Sequence, residues 1–421
     1  MTTLFIVPEG VIYYSDLKDW LRAIKTDAVL LTTNEKRIGK EKLLSDYPFC
    51  HVETFDNYYS NGLIEVRAME LHKQYKFERL VTVTEFDIIR SAMLRDELGI
   101  EGQGLDSANH FRDKFLMRDL ACKAGLASPK YAKVNNVIDL LKFLQRVDLP
   151  IVVKPRDLAG TVGANVLKTE EDVEQFLSQR ADDIHKSPTG SISETFVKGL
   201  MYHVDGFIHN GKEVVMLPSK YNNDGFAFFK GENLGSHALS DSNPLKKRLN
   251  DFARKICFEV LPTPQNMVFH LEVFHTPDDE LVMCEIASRL GGGRINDTVK
   301  AVTGYDIKMG FVEAEANKGL EVIEQHQQPS GKLAGWLTIP QKEGTIEYIP
   351  EECPLEGVIG YRLSGKAGDK FDAPSTMGFN LVNFVIEGET ELEVANRMEG
   401  AAQWFDETTI WITSQEESAS A

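Results

Sequence analysis

Apolar runs alternate with amphipathic segments over the first hundred residues. The apolar, β-branched runs are "TLFIV", "AVLLTT" and "RLVTVTE", and the segments with a helical period are "YYSDLKDWLRAI" and "LIEVRAMELHKQY". Strand–helix–strand alternation of this kind predicts a parallel sheet covered by helices. The glycines of "GIEGQGLD" end the pattern, so we predict an N-terminal α/β domain over residues 1–106.

The next stretch, residues 107–197, predicts a smaller subdomain of helices and strands. "SANHFRDKFLMRDLACKAG" is typical of one helix, with Ser107 or Asn109 as its N-cap and Gly125 beyond its end. The segments "PIVVKPRDLAGTVGANVL" and "GSISETFV" predict strands around a glycine-containing loop.

Two further blocks follow, at residues 198–325 and 326–421. In the first, "YHVDGFIHNGKEVVML" alternates and turns at Asn210-Gly211, a strong hairpin signal. The second contains "SGKLAGWLTIP", "GTIEYI", "GVIGYRLS" and "NLVNFVIEG", which predict a strand-rich C-terminal subdomain.

A second predicted hairpin carries one glutamate in each strand. The segments "HLEVF" and "LVMCE" predict strands joined by a tight loop at Pro277–Glu280. If Thr276 faces Leu281, then Glu272 faces Glu285. Like charges directly opposite destabilise a hairpin, and a Mg²⁺ ion bound by hard oxygen ligands would offset that repulsion. An exposed hairpin whose glutamates point to water, or a different register, remain alternatives.

The continuation "ASRLGGGRIND" adds Arg289, three glycines and Arg294. A guanidinium offers a planar fork to phosphate or carboxylate, and glycines let backbone N–H groups approach an anion. Beside two acidic metal ligands, these features favour a phosphoryl-transfer site. For Arg294, contact with a substrate carboxylate and a purely structural role are both open.

Two weaker signals precede the hairpin. In "IVVKPRDLAGTVGA", Lys154 ends an apolar strand, and Gly160 and Gly163 follow in a small-residue loop. This is neither a Walker A motif nor a dinucleotide fingerprint, so a phosphate-covering loop and an ordinary turn are both open. In "ETFVKG", the Glu194 carboxylate could accept a hydrogen bond from the exocyclic amine of a purine.

Composition narrows the functional class. Acidic residues number 64 and basic residues 46, for a net charge of −18, which argues against nucleic-acid binding. The chain has neither a run of about 18 apolar residues nor a basic region before its first apolar run, so we expect no membrane span and no signal peptide. The five scattered cysteines fit a reduced, cytoplasmic protein.

The order of these pieces resembles the ATP-grasp superfamily, and within it the carboxylate–amine ligases such as the bacterial L-amino acid ligases. The series runs from Lys114 through Lys154 and its glycine loop to "ETFVKG", "YHVDGF", "SKY", "HLEVF" and "CEIASRLGGG". The resemblance covers residues 1–325 well, and the last block with less specific motifs. It implies an α/β ATP-grasp fold.

The resemblance also implies a role for individual residues. Its implied contacts with ATP phosphates are Lys114, Lys154, Lys220 and the loop Gly160–Gly163; with adenine Glu194, Phe196, Val197 and Met283; with magnesium Glu272 and Glu285; and with the acyl phosphate Arg289. Many relatives have a ribose-binding glutamate where Met201 stands. His203 is a candidate substitute, and a core or surface histidine is an equal alternative. Ala287 occupies the position of a frequent third metal ligand, an asparagine. Among possible substrate contacts are Arg294, His270 and the phenylalanines Phe226, Phe228 and Phe229.

The implied activity is an ADP-forming ligation. ATP and Mg²⁺, with Mn²⁺ as an alternative, would convert a carboxylate, expected to be that of an L-amino acid, into an acyl phosphate that an amine attacks to give a dipeptide or amide. Alternative functions are loading of an amino acid on a carrier protein, carboxylation with bicarbonate, AMP-forming ligation and nucleotide binding without turnover. A homodimer is left open, and neither a nucleic acid nor a membrane is expected as a partner.

Overall fold

A four-stranded parallel sheet, ordered β3-β2-β1-β4, organises the N-terminal region. The computed structural model describes residues 1–34, 46–160, 162–223, 232–317, 319–372 and 380–412. The strands are β1 Thr2–Ile6, β2 Asp27–Thr33, β3 His51–Phe55 and β4 Arg79–Val81. The accompanying helices are α1 Glu9–Tyr13, α2 Leu17–Ala23, α3 Leu63–Tyr75, α4 Ile88–Leu98 and α5 Leu105–His110. The predicted parallel sheet is confirmed, with one additional strand, β3, at its edge.

The region predicted as one helix after residue 107 forms two, α5 and α6 Lys114–Lys123. The predicted N-caps Ser107 and Asn109 lie inside α5, and Asp113 caps α6 by accepting a hydrogen bond from the Phe115 backbone N–H. The Asp113 carboxylate also pairs with Arg156. The break therefore lies at a residue whose side chain serves both a helix cap and a tertiary ion pair. Gly125 follows α6 with φ +72°, as expected of the glycine that ends a helix.

A small antiparallel sheet, ordered β5-β8-β6-β7, follows. Its strands are β5 Tyr131–Val134, β6 Ile151–Pro155, β7 Asn165–Leu167 and β8 Ser191–Thr195. Helices α7 Val137–Leu144 and α8 Glu170–Gln179 contribute Leu140, Phe143 and Phe176 to its core.

The largest element is an eight-stranded antiparallel sheet, ordered β13-β12-β9-β10-β11-β14-β18-β16. Its strands are β9 Leu200–His209, β10 Lys212–Tyr221, β11 Leu234–Ala238, β12 Met267–His275, β13 Leu281–Ala287, β14 Leu333–Pro340, β16 Val358–Leu363 and β18 Asn380–Gly388. The predicted hairpin at Asn210-Gly211 is confirmed, since both residues have positive φ and join β9 to β10. Because β11 pairs with β14, the sheet continues across the boundary predicted at residue 325.

Four further α-helices and a small fourth sheet complete the described elements. The helices are α9 Pro244–Lys255, which a π-turn at Ile256–Val260 extends, α10 Ile295–Thr303, α11 Ile307–Ala316 and α12 Glu391–Thr408. The fourth sheet contains β15 Gly344–Tyr348, β17 Lys370–Phe371 and β19 Ile410–Ile412. None of the helices in the described ranges combines the length and apolar character needed to cross a bilayer.

The strand registers place Glu285 and Glu272 on the same face of the large sheet as residues from each of its other strands. Across the first half, Glu285, Glu272, His203 and Ser219 lie opposite one another in turn. Across the second half, Tyr221, Ser236, Trp336, Val385 and Gly360 do so. Ser219 and Tyr221 are two residues apart on β10, so the two series share a face. The opposite face includes Leu271 and Val273, which are buried in a separate core.

Candidate active site

The two glutamates of the predicted hairpin lie directly opposite each other, as predicted. The predicted pairing at the turn is wrong, because Leu281 faces His275 rather than Thr276. A β-bulge between Met283 and Glu285 absorbs the difference of one residue and restores the expected register. The bulge also places Met283 opposite Val273, within the buried core and away from the face that carries the glutamates.

Glu272 is held by two neighbouring side chains. The Tyr221 hydroxyl donates to its Oε1 at 3.1 Å, and His270 Nε2 lies 3.5 Å from the same oxygen. Burial alone would raise the pKa of this carboxyl, but the hydrogen bond and charge of His270, helped by Tyr221, lower the pKa to about 2. Glu272 is therefore ionised at neutral pH.

Glu285 lies against one of the predicted phosphate lysines. Its Oε2 is 3.1 Å from Lys114 Nζ, and the same nitrogen donates to the carbonyl oxygen of Leu158 at 2.5 Å. Two carboxylates and an ammonium group thus meet at one edge of the sheet. Hard oxygen donors that face each other on adjacent strands fit a bound Mg²⁺, which usually takes one or two protein carboxylates. Ala287 offers no side-chain ligand.

Glu194 is enclosed by cations, which sequence reasoning did not predict. Arg118 Nε lies 2.7 Å from its Oε1, and Lys154 Nζ lies 2.8 Å from its Oε2. Burial would raise the pKa of the Glu194 carboxyl, but the charges of Arg118 and Lys154 outweigh it and lower the pKa to about 2. In this arrangement both carboxylate oxygens are engaged, which argues against the predicted contact with an adenine amine.

Arg118 also ties this cluster to the glutamate hairpin. Its guanidinium donates to the carbonyl oxygens of the bulged residue Cys284 and of Met283 before it. Arg118 is 2% exposed and sits in the middle of α6. The only sequence signal that could have identified Arg118 is a positive charge in the middle of an amphipathic helix.

Arg289 contacts the N-terminal region by an ion pair with Glu85. The Glu85 carboxylate accepts from Arg289 Nε and from Arg112 Nη1, and the three side chains are 11% to 16% exposed. Glu85 follows β4, at the carboxyl edge of the parallel sheet, where ligands of open α/β sheets usually bind. That position is the signal by which the sequence could have revealed it.

His203 belongs to a buried network in the middle of the sheet. One ring nitrogen lies 2.5 Å from Asp205 and the other 2.7 Å from the Ser236 hydroxyl. Asp205 also lies 2.9 Å from His270 Nδ1. Burial opposes protonation of His270, but the Asp205 charge outweighs it and raises the His270 pKa to about 9. With both ring nitrogens engaged, the contacts of His203 argue against a role at the ribose.

The glycines after Arg289 allow the chain to cross the sheet closely. A Cβ atom at Gly291 would lie 2.6 Å from Asp205 Oδ1, and one at Gly293 would lie 2.5 Å from the Trp336 ring. Gly293 also has φ +60°, whereas a Cβ at Gly292 would meet nothing within 4 Å. Two of the three glycines are therefore needed for packing against the face that carries Glu272.

The remaining predicted contacts are spread over other parts of the fold. Lys220 lies opposite Tyr202, on the other face of β10 from Tyr221. Phe196, 43% exposed, and Val197 lie in the connection between β8 and β9, which joins the small sheet to the large one. Gly160 and Gly163 have positive φ in the loop between β6 and β7. Phe226, Phe228 and Phe229 fall outside the described residues.

No protein-family model matches the chain. Among characterised proteins, the L-arginine-specific L-amino acid ligase of Bacillus subtilis is 24% identical over 357 residues, which cover 82% of this chain and 83% of that protein.

Solved structures match almost the whole chain. The L-amino acid ligase from Bacillus licheniformis superposes with a TM-score of 0.75 at 16% identity, covering 98% of this chain and 99% of that one. The biotin carboxylase domain of the Hydrogenobacter thermophilus 2-oxoglutarate carboxylase, solved with Mg-ADP and bicarbonate, gives 0.69 at 13% identity, covering 95% and 89%. The predicted ATP-grasp fold and the resemblance to L-amino acid ligases are confirmed.

Proposed function

We propose that this protein is an ATP-dependent, ADP-forming ligase that joins the carboxylate of an L-amino acid to an amine through an acyl phosphate. The observation that carries the proposal is the opposed pair Glu272 and Glu285, with Lys114 Nζ 3.1 Å from Glu285 and Arg289 four residues further along the chain. The likeness to an L-amino acid ligase over most of both chains supports it.

Glu272 and Glu285 are the proposed ligands of Mg²⁺. When bound with ATP, the metal would neutralise charge on the nucleotide's phosphate oxygens. Tyr221 and His270 hold Glu272 in place by contacts to one of its oxygens, and Lys114 faces Glu285.

The chain's own cations are proposed to orient the phosphates and the acyl phosphate. In the first step a carboxylate oxygen attacks the γ-phosphorus of ATP, and the bond to the β-phosphate oxygen breaks to release ADP. In the second step the amine attacks the acyl carbon, inorganic phosphate leaves, and a proton is lost from nitrogen. Arg289, which pairs with Glu85, would stabilise the anionic acyl phosphate and the phosphate that leaves.

Nucleotide contacts are proposed on the small sheet and its connections. Phe196 and Val197 would hold the adenine, and the loop that contains Gly160 and Gly163 would cover the phosphates. Lys154 would contribute to phosphate binding only by sharing its ammonium between Glu194 and the nucleotide. The proposal gives Lys220 no phosphate contact, because its side chain projects from the other face of β10.

The direct test is a screen of amino-acid pairs for phosphate release, with products identified by mass spectrometry. The proposal predicts ADP and phosphate in equal amounts with a new amide product, and no pyrophosphate. Pyrophosphate release would indicate AMP-forming ligation. A product made only with bicarbonate or a carrier protein would replace the proposal by one of the other ATP-grasp activities.

A further inference from the structure

A chain of polar side chains in contact runs across the large sheet from β11 to β12, on the face that carries Glu272. It begins at Ser236, whose hydroxyl lies 2.7 Å from His203 Nε2. His203 Nδ1 lies 2.5 Å from Asp205 Oδ2, and Asp205 Oδ1 lies 2.9 Å from His270 Nδ1. The chain ends where His270 Nε2 lies 3.5 Å from Glu272 Oε1. It therefore connects the middle of the sheet to a proposed Mg²⁺ ligand.

Asp205 is the centre of this chain. It is fully buried, and each of its carboxylate oxygens faces one imidazole ring. Burial would raise the pKa of the Asp205 carboxyl, but the charges and hydrogen bonds of His270 and His203 hold the pKa below its ordinary value. Because an ionised carboxylate only accepts hydrogen bonds, both imidazoles donate their Nδ1–H groups to it. Asp205 thereby fixes the orientation of the His270 ring, whose Nε2 faces Glu272.

The contacts that hold Glu272 fall on one of its two oxygens. The Tyr221 hydroxyl donates to Oε1 at 3.1 Å, and His270 Nε2 lies 3.5 Å from the same atom. Among the residues that the structure describes, Oε2 takes part in no hydrogen bond or ion pair, and the side chain is 20% exposed. A carboxylate held by one oxygen presents the other in a defined direction, as the strict coordination geometry of Mg²⁺ requires.

The glycine segment after Arg289 closes over the hydrogen bond between Asp205 and His270. A Cβ atom at Gly291 would lie 2.6 Å from Asp205 Oδ1 and 2.9 Å from His270 Nδ1. The backbone of the segment therefore covers both atoms, and His270 is only 6% exposed. Rotation of the His270 ring would break its hydrogen bond to Asp205 and push against this backbone.

We propose that Asp205 is a positioning residue for the metal site: through His270 it holds Glu272 in the orientation that binds Mg²⁺, and it thereby sets the affinity for the metal. This inference rests on the proposed function and extends it from the metal ligands to a residue that lies behind them. A merely structural role for the buried chain would lower the free energy of unfolding without changing the affinity for the metal.

The test uses calorimetric titration of ADP into the folded protein, with saturating Mg²⁺ and without Mg²⁺. The ratio of the Kd for ADP without Mg²⁺ to the Kd with it is called the Mg²⁺ enhancement. By linkage, this ratio reports how tightly the metal binds the complex of protein and ADP, and it requires no turnover. The wild type is compared with Asp205→Asn, with Glu272→Gln and with His203→Gln, which keeps Asp205 but removes one of its imidazole partners.

His209 offers a matched control. It lies on β9, on the same face as Asp205, and is 5% exposed. Its ring nitrogens lie 2.9 Å from Asn266 Oδ1 and 2.9 Å from the carbonyl oxygen of Leu320. His209 is four residues from Asp205, or about 13 Å along the strand. His209→Gln should therefore lower the free energy of unfolding but leave the Mg²⁺ enhancement unchanged.

We expect Asp205→Asn to reduce the Mg²⁺ enhancement by roughly tenfold to a hundredfold, while the Kd for ADP without Mg²⁺ stays at the wild-type value. His203→Gln should reduce the enhancement by a smaller factor. Combining Asp205→Asn with Glu272→Gln should cause no loss beyond that of Glu272→Gln alone, because Asp205 acts through Glu272.

Two kinds of contrary result can be told apart. An unchanged Mg²⁺ enhancement in Glu272→Gln would remove Glu272 from the metal site, so the metal assignment of the proposed function would fail together with this inference. If the enhancement falls in Glu272→Gln but equals the wild-type value in Asp205→Asn and His203→Gln, the inference alone is overturned. An equal fall in His209→Gln would also overturn it. If Asp205→Asn does not fold, His203→Gln decides between these outcomes.

Discussion

At the scale of single residues, the proposed function requires that Glu285 is a ligand of Mg²⁺ rather than a surface charge. Glu285→Gln keeps the size of the side chain but removes the charge that faces Glu272 and Lys114. We expect the rate of ADP-forming turnover to fall by about a hundredfold or more, because the negative charge of the transition state loses its stabilisation. Phosphate release measures this rate.

The matched control for that variant lies on the same hairpin. Glu280→Gln changes an exposed glutamate in the turn and should leave turnover near the wild-type value. Full activity of Glu285→Gln at saturating Mg²⁺ would remove Glu285 from the metal site.

A second residue-scale prediction concerns stability. Glu194→Gln leaves Arg118 and Lys154 buried without their shared carboxylate, so we expect a loss of about 3–5 kcal/mol in the free energy of unfolding. Urea denaturation measures the loss, and Glu213→Gln, which removes a partly exposed partner of Arg254, should have a much smaller effect.

The lowered pKa of the Glu194 carboxyl predicts that the free energy of unfolding depends on pH. The folded-state pKa of Glu194 is about 2, below its ordinary value of 4.5, so its contribution is present above pH 4.5 and is lost as the pH falls toward 2. The stability difference between wild type and Glu194→Gln should therefore shrink over that range. A difference that stays constant from pH 5 to pH 3 would contradict the ionised, ion-paired state.

At the scale of elements, the glycine segment between Arg289 and Arg294 offers an internal comparison. Gly293→Ala adds a Cβ against Trp336 at a positive φ, whereas Gly292→Ala meets open space. We expect the first to reduce kcat/KM by about tenfold to a hundredfold, because it displaces Arg289 and Arg294. The second should behave like the wild type; equal effects of the two would show that close packing is not what the glycines provide.

Element prediction from the sequence succeeded where the periodicity was regular and failed where one residue had a second role. Helix α3 and the turn at Asn210-Gly211 were predicted as they occur. The break before α6 was missed because Asp113 is a cap and an ion-pair partner at once. The bulge that carries Cys284 was missed because alternation assumes an unbroken ladder. It places Met283, a predicted adenine contact, opposite Val273 in the core.

A single sequence shows which side chains share a face of a sheet only where the pairing of the strands can also be predicted. The opposition of Glu272 and Glu285 follows from one short hairpin, so it was predictable. The orientation of Lys220 depends on the register between β9 and β10 and on that between β9 and β12. A bulge between Glu213 and Val215 shifts the first register, and the second joins strands that are far apart in the sequence. The lysine was assigned to phosphate by resemblance alone.

At the scale of the whole molecule, Glu85 connects the N-terminal sheet to the large sheet through Arg112 and Arg289. Glu85→Gln should lower kcat by about tenfold or more while nucleotide affinity changes little, because Arg289 loses the group that orients it. Glu101→Gln, at an exposed ion pair with Arg79, is the control. A rise in the Kd for ADP with unchanged kcat would place Glu85 in nucleotide binding instead.

The large sheet also qualifies the predicted division of the chain. Strands from both sides of residue 325 pair directly in it, so the last hundred residues complete the sheet that carries the glutamates. The sequence pattern becomes strand-rich at that point, but hydrogen bonding between strands does not stop there.

The central claim, that a substrate carboxylate becomes an acyl phosphate, is tested most directly by following oxygen. The donor amino acid is supplied with ¹⁸O in both carboxylate oxygens, and the inorganic phosphate formed during ligation is examined by ³¹P NMR. The account predicts one ¹⁸O atom in each phosphate and the other in the amide product. Phosphate that contains no label, while the amide product forms, would contradict it.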